Sequence, residues 1–116
     1  MRVIIAGGRN FDNYELLCRK VDKILSRQED VEIISGTAKG ADKLGERYAD
    51  EHGYKVIRFS ADWNKHGKAA GFVRNEEMAD YSDALIAFWD GYSKGTLHMI
   101  ETAKQRGLKI RIILYY

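Results

Sequence analysis

Short apolar runs alternate with amphipathic segments along the 116-residue chain. The runs are rich in valine, isoleucine and aromatic residues, which favour strands. The runs lie at residues 3–6, 31–34, 54–59, 84–89 and 110–114. The run at residues 84–89 is continuously apolar, which is typical of a strand buried on both faces of a parallel sheet.

Between the runs, apolar residues recur every three or four positions, as on one face of an amphipathic helix. Asp12 and Glu15 have the spacing of a capping box, which predicts the start of a first helix that carries Leu17 and Val21. Residues 60–70 lack this periodicity and are expected to be irregular. The other helices are predicted at about residues 41–51, 72–81 and 96–106.

Five strands alternating with helices predict an α/β fold for residues 1–116, interpreted as a single domain. We expect a Rossmann-like, doubly wound, parallel five-stranded sheet in the order 3-2-1-4-5, with right-handed crossovers and helices on both faces. In that order the chain direction reverses between strands 1 and 4, and ligands bind in the crevice outside the carboxyl ends of those strands.

Three glycine-containing loops are expected to meet at this edge of the sheet. Glycine amides, hydroxyl groups and the charges of Arg9 and Lys39 suit a phosphate. Two alternatives stay open, since tight turns also need glycine and exposed cations are also ordinary surface. Neither GxGxxG nor a P-loop is present. The candidate ligand-binding residues in the three loops are Gly7, Gly8, Arg9, Asn10 and Phe11, then Ser35, Gly36, Lys39 and Gly40, then Asp90, Ser93, Gly95 and Thr96.

A second set of candidates follows strand 3. Trp63, His66 and Lys68 lie together in the segment without periodicity, where a base or sugar ring is a plausible occupant; for Trp63 the alternative is a lid over the core. Arg74 and Asn75 come next on a helix, where the guanidinium would clamp a phosphate or pair with a carboxylate. Asp90 suits a ribose hydroxyl or general-base catalysis, or else it forms a turn or a helix cap.

Composition narrows the function classes. The 19 basic and 17 acidic side chains give a formal charge of +2, which is too small to indicate nucleic-acid binding. Cys18 is the single cysteine, so no disulfide forms within the chain, and the three histidines lack metal-ligand spacing. No metal and no cofactor are therefore predicted. The N-terminal strand is too short for a signal peptide and no segment resembles a membrane span, so a cytoplasmic protein is expected.

These motifs resemble those of the YspA/YpsA-related branch of the SLOG superfamily, which also contains the LOG phosphoribohydrolases and the DprA/Smf DNA-binding proteins. The resemblance covers nearly the whole chain. The most specific part consists of three successive motifs, Trp63, then 66–68 (His-Gly-Lys), then 74–75 (Arg-Asn). The residues that carry it are 7–11, 35–42 (which include Asp42), 61–63, 66–71, 74–78 and 88–96.

The resemblance implies a Rossmann-like sheet with a pocket for nucleotides or nucleotide-derived ligands, often in a homodimer. Its LOG members carry a Gly-Gly-x-Gly-Thr loop that is followed closely by a catalytic glutamate. Here Gly95-Thr96 keeps the end of that loop, but residues 97–100 contain no glutamate and Glu101 comes about one turn too late. This departure argues against phosphoribohydrolase activity.

The leading hypothesis is a module that binds a nucleotide or nucleotide-derived small molecule at the carboxyl edge of the sheet. The enzyme alternative is hydrolysis of an N-glycosidic or phosphoester bond, with Asp90 or His66 as general acid or base and Arg74 as phosphate clamp. The second alternative is single-stranded nucleic-acid binding, which the low net charge and the absence of a basic stripe make unlikely.

Overall fold

The computed structural model describes residues 1–115. Strands and helices alternate along the chain, as the hydrophobic pattern predicts. The strands are β1 (Arg2–Gly7), β2 (Glu32–Ser35), β3 (Lys55–Arg58), β4 (Ala84–Trp89) and β5 (Lys109–Leu114). The helices are α1 (Tyr14–Leu25), α2 (Ala41–His52), α3 (Trp63–His66), α4 (Ala70–Tyr81) and α5 (Lys94–Gln105).

All strand pairs are parallel, and the sheet order is β3-β2-β1-β4-β5, which confirms the predicted order and fold class. In the centre of the sheet, Ile4 of β1 pairs with Leu85 of β4 and Gly7 pairs with Phe88. The carboxyl ends of β1 and β4 are therefore adjacent, and the chain leaves them toward opposite faces. This is the reversal point at which ligands bind in open α/β sheets.

Two apolar cores lie on the two faces of the sheet because β1, β2 and β4 bury residues on both sides. One core contains Leu17 and Val21 of α1 with Tyr48 of α2. The other contains Met78 of α4 and Met99 of α5. The same pair of helices, α4 and α5, also forms a wall at the carboxyl edge, as described below.

Most boundaries differ from the prediction by one or two residues, and two differences change how a segment is interpreted. Asn13, not Asp12, caps α1, because its side chain accepts the N–H of Leu16. The segment expected to be irregular forms α3 and a 3-10 turn, Gly67–Ala69, which leads directly into α4. Asp62 caps α3 by accepting the N–H of Lys65.

Strand β5 lies at one edge of the sheet and leaves Ile112 and Leu114 exposed. The homodimer expected from the family resemblance stays a prediction. Among residues 1–115, no helix has both the length and the apolar composition that crossing a membrane requires.

Candidate functional site

A cleft opens at the carboxyl edge of the sheet, above β1 and between the first residues of α2, α4 and α5. It encloses about 740 Å³, counted out to its open mouth. It is thus placed where the sheet order predicts a binding site. Its lining residues are Ala6, Gly7, Arg9, Ala38, Asp42, Trp63, Lys68, Gly71, Phe72, Arg74, Asn75, Met78, Ser93, Gly95, Thr96 and Met99.

The structure brings ten of the predicted site residues together in this lining. They come from the first and third glycine loops, from the first turn of α2, from the segment that contains Trp63 and Lys68, and from α4. Residues distant in sequence therefore meet in one cleft, as the sheet order requires. The ten are Gly7, Arg9, Asp42, Trp63, Lys68, Arg74, Asn75, Ser93, Gly95 and Thr96.

Two glycines of the first two loops have a structural role instead. The N–H of Gly8 donates to Phe88 O (3.1 Å), and the Gly8 carbonyl accepts the N–H groups of Phe11 and Ala41. A Cβ atom at Gly40, whose φ is +80°, would clash with the Gly8 carbonyl oxygen. Glycine is therefore required where these loops touch, and the Gly8 amide is not free for a ligand.

Several other predicted site residues contact neighbouring residues of the chain and do not line the cleft. Phe11 is buried and stacks on Phe88 (4.8 Å between ring centroids), and Asn10 Oδ1 accepts the hydroxyl of Tyr115 (2.7 Å). The buried Ser35 hydroxyl donates to Glu46 (2.6 Å). Lys39 is exposed, His66 is half-buried at the end of α3, and neither lines the cleft.

Arg74 is a half-buried cation on the α4 side of the cleft. Its Nη1 donates to the carbonyl of Gly36 (2.5 Å) and its Nε donates to Asn75 Oδ1 (3.1 Å). Within residues 1–115, Nη2 makes no hydrogen bond and no carboxylate lies within 4.0 Å of the guanidinium. Burial lowers the pKa of Arg74, whereas the charge of Asp42 opposes that shift. The guanidinium is thus oriented by neutral acceptors and keeps donors for an anion.

Asp42 is a buried carboxylate on the opposite side, with only 4% of its surface exposed. Its Oδ2 accepts the N–H of Ala38 (3.1 Å), while Oδ1 has no hydrogen bond within the described part of the chain. Burial raises the pKa of Asp42 to about 6, although Ala38, Arg74 and Arg9 all favour the charged form. A buried carboxylate with a raised pKa in a cleft is a candidate functional group.

Gly36 separates these two charged groups. A Cβ atom at this position would lie 2.8 Å from Asp42 Oδ2 and 3.0 Å from Arg74 Nη1. The carboxylate and the guanidinium are therefore within about 6 Å of each other, close enough to interact strongly through charge. Glycine at position 36 lets both side chains approach the end of β2.

Asn75 is buried (4% exposed), and its hydrogen bonds connect α4 to α5, which form two walls of the cleft. Its Nδ2 donates to Gly95 O (3.3 Å) and to His98 Nδ1 (3.2 Å), and its Oδ1 accepts from Arg74. Since His98 Nδ1 is the acceptor here, Nε2 carries the proton of the neutral ring. One amide thus fixes the guanidinium and the first turn of α5.

Replacing Asn75 by alanine is expected to lower the free energy of unfolding by about 2 kcal/mol, because it removes a buried amide and its hydrogen bonds to Arg74, Gly95 and His98. Urea unfolding followed by circular dichroism measures this change. The matched control is Asn64→Ala, at an exposed position of α3, which should cost under about 0.5 kcal/mol. Equal effects of the two substitutions would contradict the network.

The third loop orders the start of α5. Asp90 Oδ1 accepts the N–H groups of Tyr92 and Ser93 (2.8 Å each), and these bonds lower the pKa of Asp90. Ser93 caps the helix by accepting from Thr96 N. Asp90 therefore forms the turn and does not line the cleft, while Ser93, Gly95 and Thr96 face it.

Two exposed aromatic rings lie at the mouth of the cleft. Trp63 is 54% exposed and Phe72 is 46% exposed, although large apolar side chains are usually buried. Phe72 stacks on His98 with 4.1 Å between centroids and 14° between planes. The tryptophan ring lies beside Gly71, since a Cβ atom at that position would be 3.9 Å from Trp63 Cη2. These rings offer flat apolar surface next to the polar floor.

Sequence reasoning missed six lining residues. Met78 and Met99 have the helical spacing of core residues, so the pattern gives no reason to separate them from the core. Ala38, Gly71 and Met78 belong to the motif runs at residues 35–42, 66–71 and 74–78, and membership of these runs is the signal that could have identified them. The six are Ala6, Ala38, Gly71, Phe72, Met78 and Met99.

Comparisons with known proteins agree with this architecture. A model of the YspA, cpYpsA-related SLOG family matches residues 1–66. The Gene 61 protein of Mycobacterium phage D29 is 33% identical over an alignment 116 positions long, which covers 94% of this chain and 93% of that protein.

Two solved structures share the fold. DNA processing protein A (DprA) from Streptococcus pneumoniae superposes with a TM-score of 0.75 at 19% identity, over 99% of this chain and 50% of that one. The present chain thus spans half the length of DprA. The protein TM1055 superposes with a TM-score of 0.68 at 17% identity, over 94% of this chain and 71% of that one. At these identities the likeness concerns the fold alone.

Proposed function

Because this chain belongs to the YspA, cpYpsA-related SLOG family, we propose that its cleft binds a nucleotide or a nucleotide-derived small molecule. Membership of the SLOG superfamily suggests nucleotide-related binding or processing. The observation that carries the proposal is Arg74, a half-buried guanidinium with unused donors in the cleft and no carboxylate partner within 4.0 Å among residues 1–115. Such a cation favours an anionic ligand.

The surroundings of Arg74 suit a phosphate group. Arg9 and Lys68 add positive charge to the lining. The first turn of α5 contributes the backbone N–H group of Gly95 and the positive end of the helix dipole. Three elements would thus converge on one anion.

The aromatic rings at the mouth support a nucleotide rather than inorganic phosphate alone. Trp63 and Phe72 provide stacking surfaces on which a base would lie. The base would then be at the mouth and the phosphate near Arg74, with the sugar between them.

A titration panel tests the proposal. AMP, GMP, CMP, UMP, a cyclic nucleotide and ADP-ribose are compared with the unphosphorylated nucleosides by calorimetry. We expect at least one phosphorylated compound to bind about 10-fold more tightly than its nucleoside, which corresponds to about 1.4 kcal/mol.

Gly95→Leu provides the matched variant, since Gly95 lines the cleft and a Cβ atom there would have no atom of the protein within 4 Å. It should abolish binding, whereas Gln105→Leu, at the exposed far end of the same helix, should not. Absence of binding by every phosphorylated compound, or unchanged binding by Gly95→Leu, would contradict the proposal.

One observation favours a second candidate, hydrolysis of an N-glycosidic or phosphoester bond of such a ligand. Asp42 has a pKa raised to about 6 by burial, which suits a general acid near neutral pH. Asp90, with a lowered pKa and a place outside the cleft lining, fits this role less well. Mass spectrometry after incubation with the same compounds decides, because intact recovery of all of them rules hydrolysis out.

A further inference from the structure

We propose that Asp42 accepts a hydrogen bond from a sugar hydroxyl of the ligand, so that the cleft recognises a ribose bearing a phosphate rather than phosphate alone. This inference rests on the proposed function and names the contact by which the cleft would distinguish a nucleotide from phosphate alone. It starts from an unused atom, since Asp42 Oδ1 makes no hydrogen bond within residues 1–115 although the residue is only 4% exposed.

The unused oxygen belongs to the cleft. Asp42 is part of the lining, and its other oxygen is fixed by the N–H of Ala38. Among the fully enclosed side-chain nitrogen and oxygen atoms of residues 1–115, only Ser82 Oγ lacks a hydrogen-bond partner, so the unpaired Asp42 Oδ1 is not fully enclosed. A buried carboxylate with a free acceptor directed at a cavity needs a donor from whatever fills that cavity.

The charges around the cleft restrict that donor. Arg9, Lys68 and Arg74 line the same space, which disfavours a cationic group on the ligand. The carboxylate itself repels an anion, so the phosphate cannot be the group that lies on Asp42. A neutral donor, such as a hydroxyl, satisfies both conditions.

Distance favours the sugar over the base. Asp42 and Arg74 both approach the position of a Gly36 Cβ, at 2.8 and 3.0 Å, so their charged groups are within about 6 Å of each other. In a nucleoside phosphate the sugar adjoins the phosphate, whereas the base is farther away. With the phosphate on Arg74, the group next to Asp42 is the ribose.

The test compares a ligand with its analogue lacking ribose hydroxyls. The probe is whichever of AMP, GMP, CMP and UMP binds most tightly, together with its 2′,3′-dideoxy form. Both carry the same phosphate, so the ratio of their dissociation constants isolates the hydroxyl contacts. Wild-type protein should prefer the ribose form by about 10-fold or more, as expected for hydrogen bonds to a charged acceptor.

Asp42→Asn should reduce that preference to about 3-fold or less, because the acceptor becomes neutral and its oxygen is needed by Ala38 N–H. Glu46→Gln is the matched control. It removes a carboxylate from the same helix, one that binds Ser35 and Arg58 outside the cleft lining, and should leave the preference unchanged.

The outcomes separate this inference from the proposed function. If the ribose and dideoxy forms bind equally to wild-type protein, or if Asp42→Asn weakens both forms to the same extent, Asp42 does not bind the sugar and the inference is overturned while nucleotide binding stands. If none of the four monophosphates binds, the proposed function fails and this inference with it. A preference lost in Asp42→Asn and kept in Glu46→Gln supports it.

Discussion

Replacing Asp42 by asparagine is expected to stabilise the folded protein by about 3 kcal/mol at pH 8. Burial raises the pKa of this carboxyl from 3.8 to about 6. The folded state therefore holds the proton more tightly than the unfolded state, and ionised Asp42 lowers stability at every pH above about 6. Asparagine removes the charge and keeps an oxygen for the N–H of Ala38.

The gain depends on pH in a defined direction. As the pH falls from about 6 toward 3.8, wild-type Asp42 becomes protonated in the folded state and the cost disappears. The advantage of Asp42→Asn should thus shrink to about 1 kcal/mol near pH 4.5. Urea unfolding at pH 8 and pH 4.5 measures both values.

Glu46→Gln is the control, and we expect it to change the stability in the opposite direction. The pKa of Glu46 is lowered by its hydrogen bonds to Ser35 and Arg58, which outweigh its partial burial, so its charge stabilises the fold above its ordinary pKa. The Glu46→Gln substitution should therefore reduce stability at pH 8. Destabilisation by Asp42→Asn at pH 8 would contradict the interpretation of Asp42 as a buried charge kept for binding at the expense of stability.

Replacing Arg74 by alanine is expected to weaken binding of the selected nucleoside monophosphate, and of pyrophosphate, by about 100-fold, or about 3 kcal/mol. The guanidinium is the half-buried cation of the cleft, and each charge-assisted bond to phosphate is stronger than a neutral one. Calorimetric titration measures the loss.

Two variants give this test its controls. Arg74→Lys keeps the charge but loses the planar donor pair, so an intermediate loss of about 10-fold is expected. Arg58→Ala removes an exposed arginine of β3 that pairs with Glu46 and should bind as the wild type does. Wild-type affinity in Arg74→Ala would show that the phosphate is bound elsewhere.

A spectroscopic readout shows whether Arg74 acts at the proposed position. Its charge lowers the pKa of Asp42, so Arg74→Ala should raise that pKa further. The carboxyl carbon of Asp42, followed by NMR against pH, reports this shift even without ligand.

The sequence predicts the sheet well because hydrophobic runs and their spacing are local signals. The run at residues 84–89 coincides with β4, Ala84–Trp89, since a strand buried on both faces has no polar interruption. The alternation of strands and helices predicts a parallel sheet, and the doubly wound order expected for it is confirmed and places the cleft at the ends of β1 and β4. These inferences need no knowledge of side-chain contacts.

The roles of individual loop residues depend on distant partners and so could not be predicted. Gly8 is part of a glycine loop in sequence, but its N–H is used by Phe88 and the hydroxyl of Tyr115 lies over it. Asp12 and Asn13 are adjacent and both suit a cap, and only the backbone geometry selects Asn13. The burial of Asp42 arises from the meeting of α2, α4 and the loop at Gly36.

Mapping the bound nucleotide by NMR tests the central claim most directly. The selected nucleoside monophosphate is titrated into ¹⁵N-labelled protein, and backbone and arginine Nε signals are followed. We expect the largest changes to cluster at Ala38, Asp42, Arg74, Gly95 and Thr96, around the cleft at the carboxyl edge of the sheet. Changes clustered instead around Ile24, Gln28 and Lys109, at the opposite end of the sheet, would contradict nucleotide binding in this cleft.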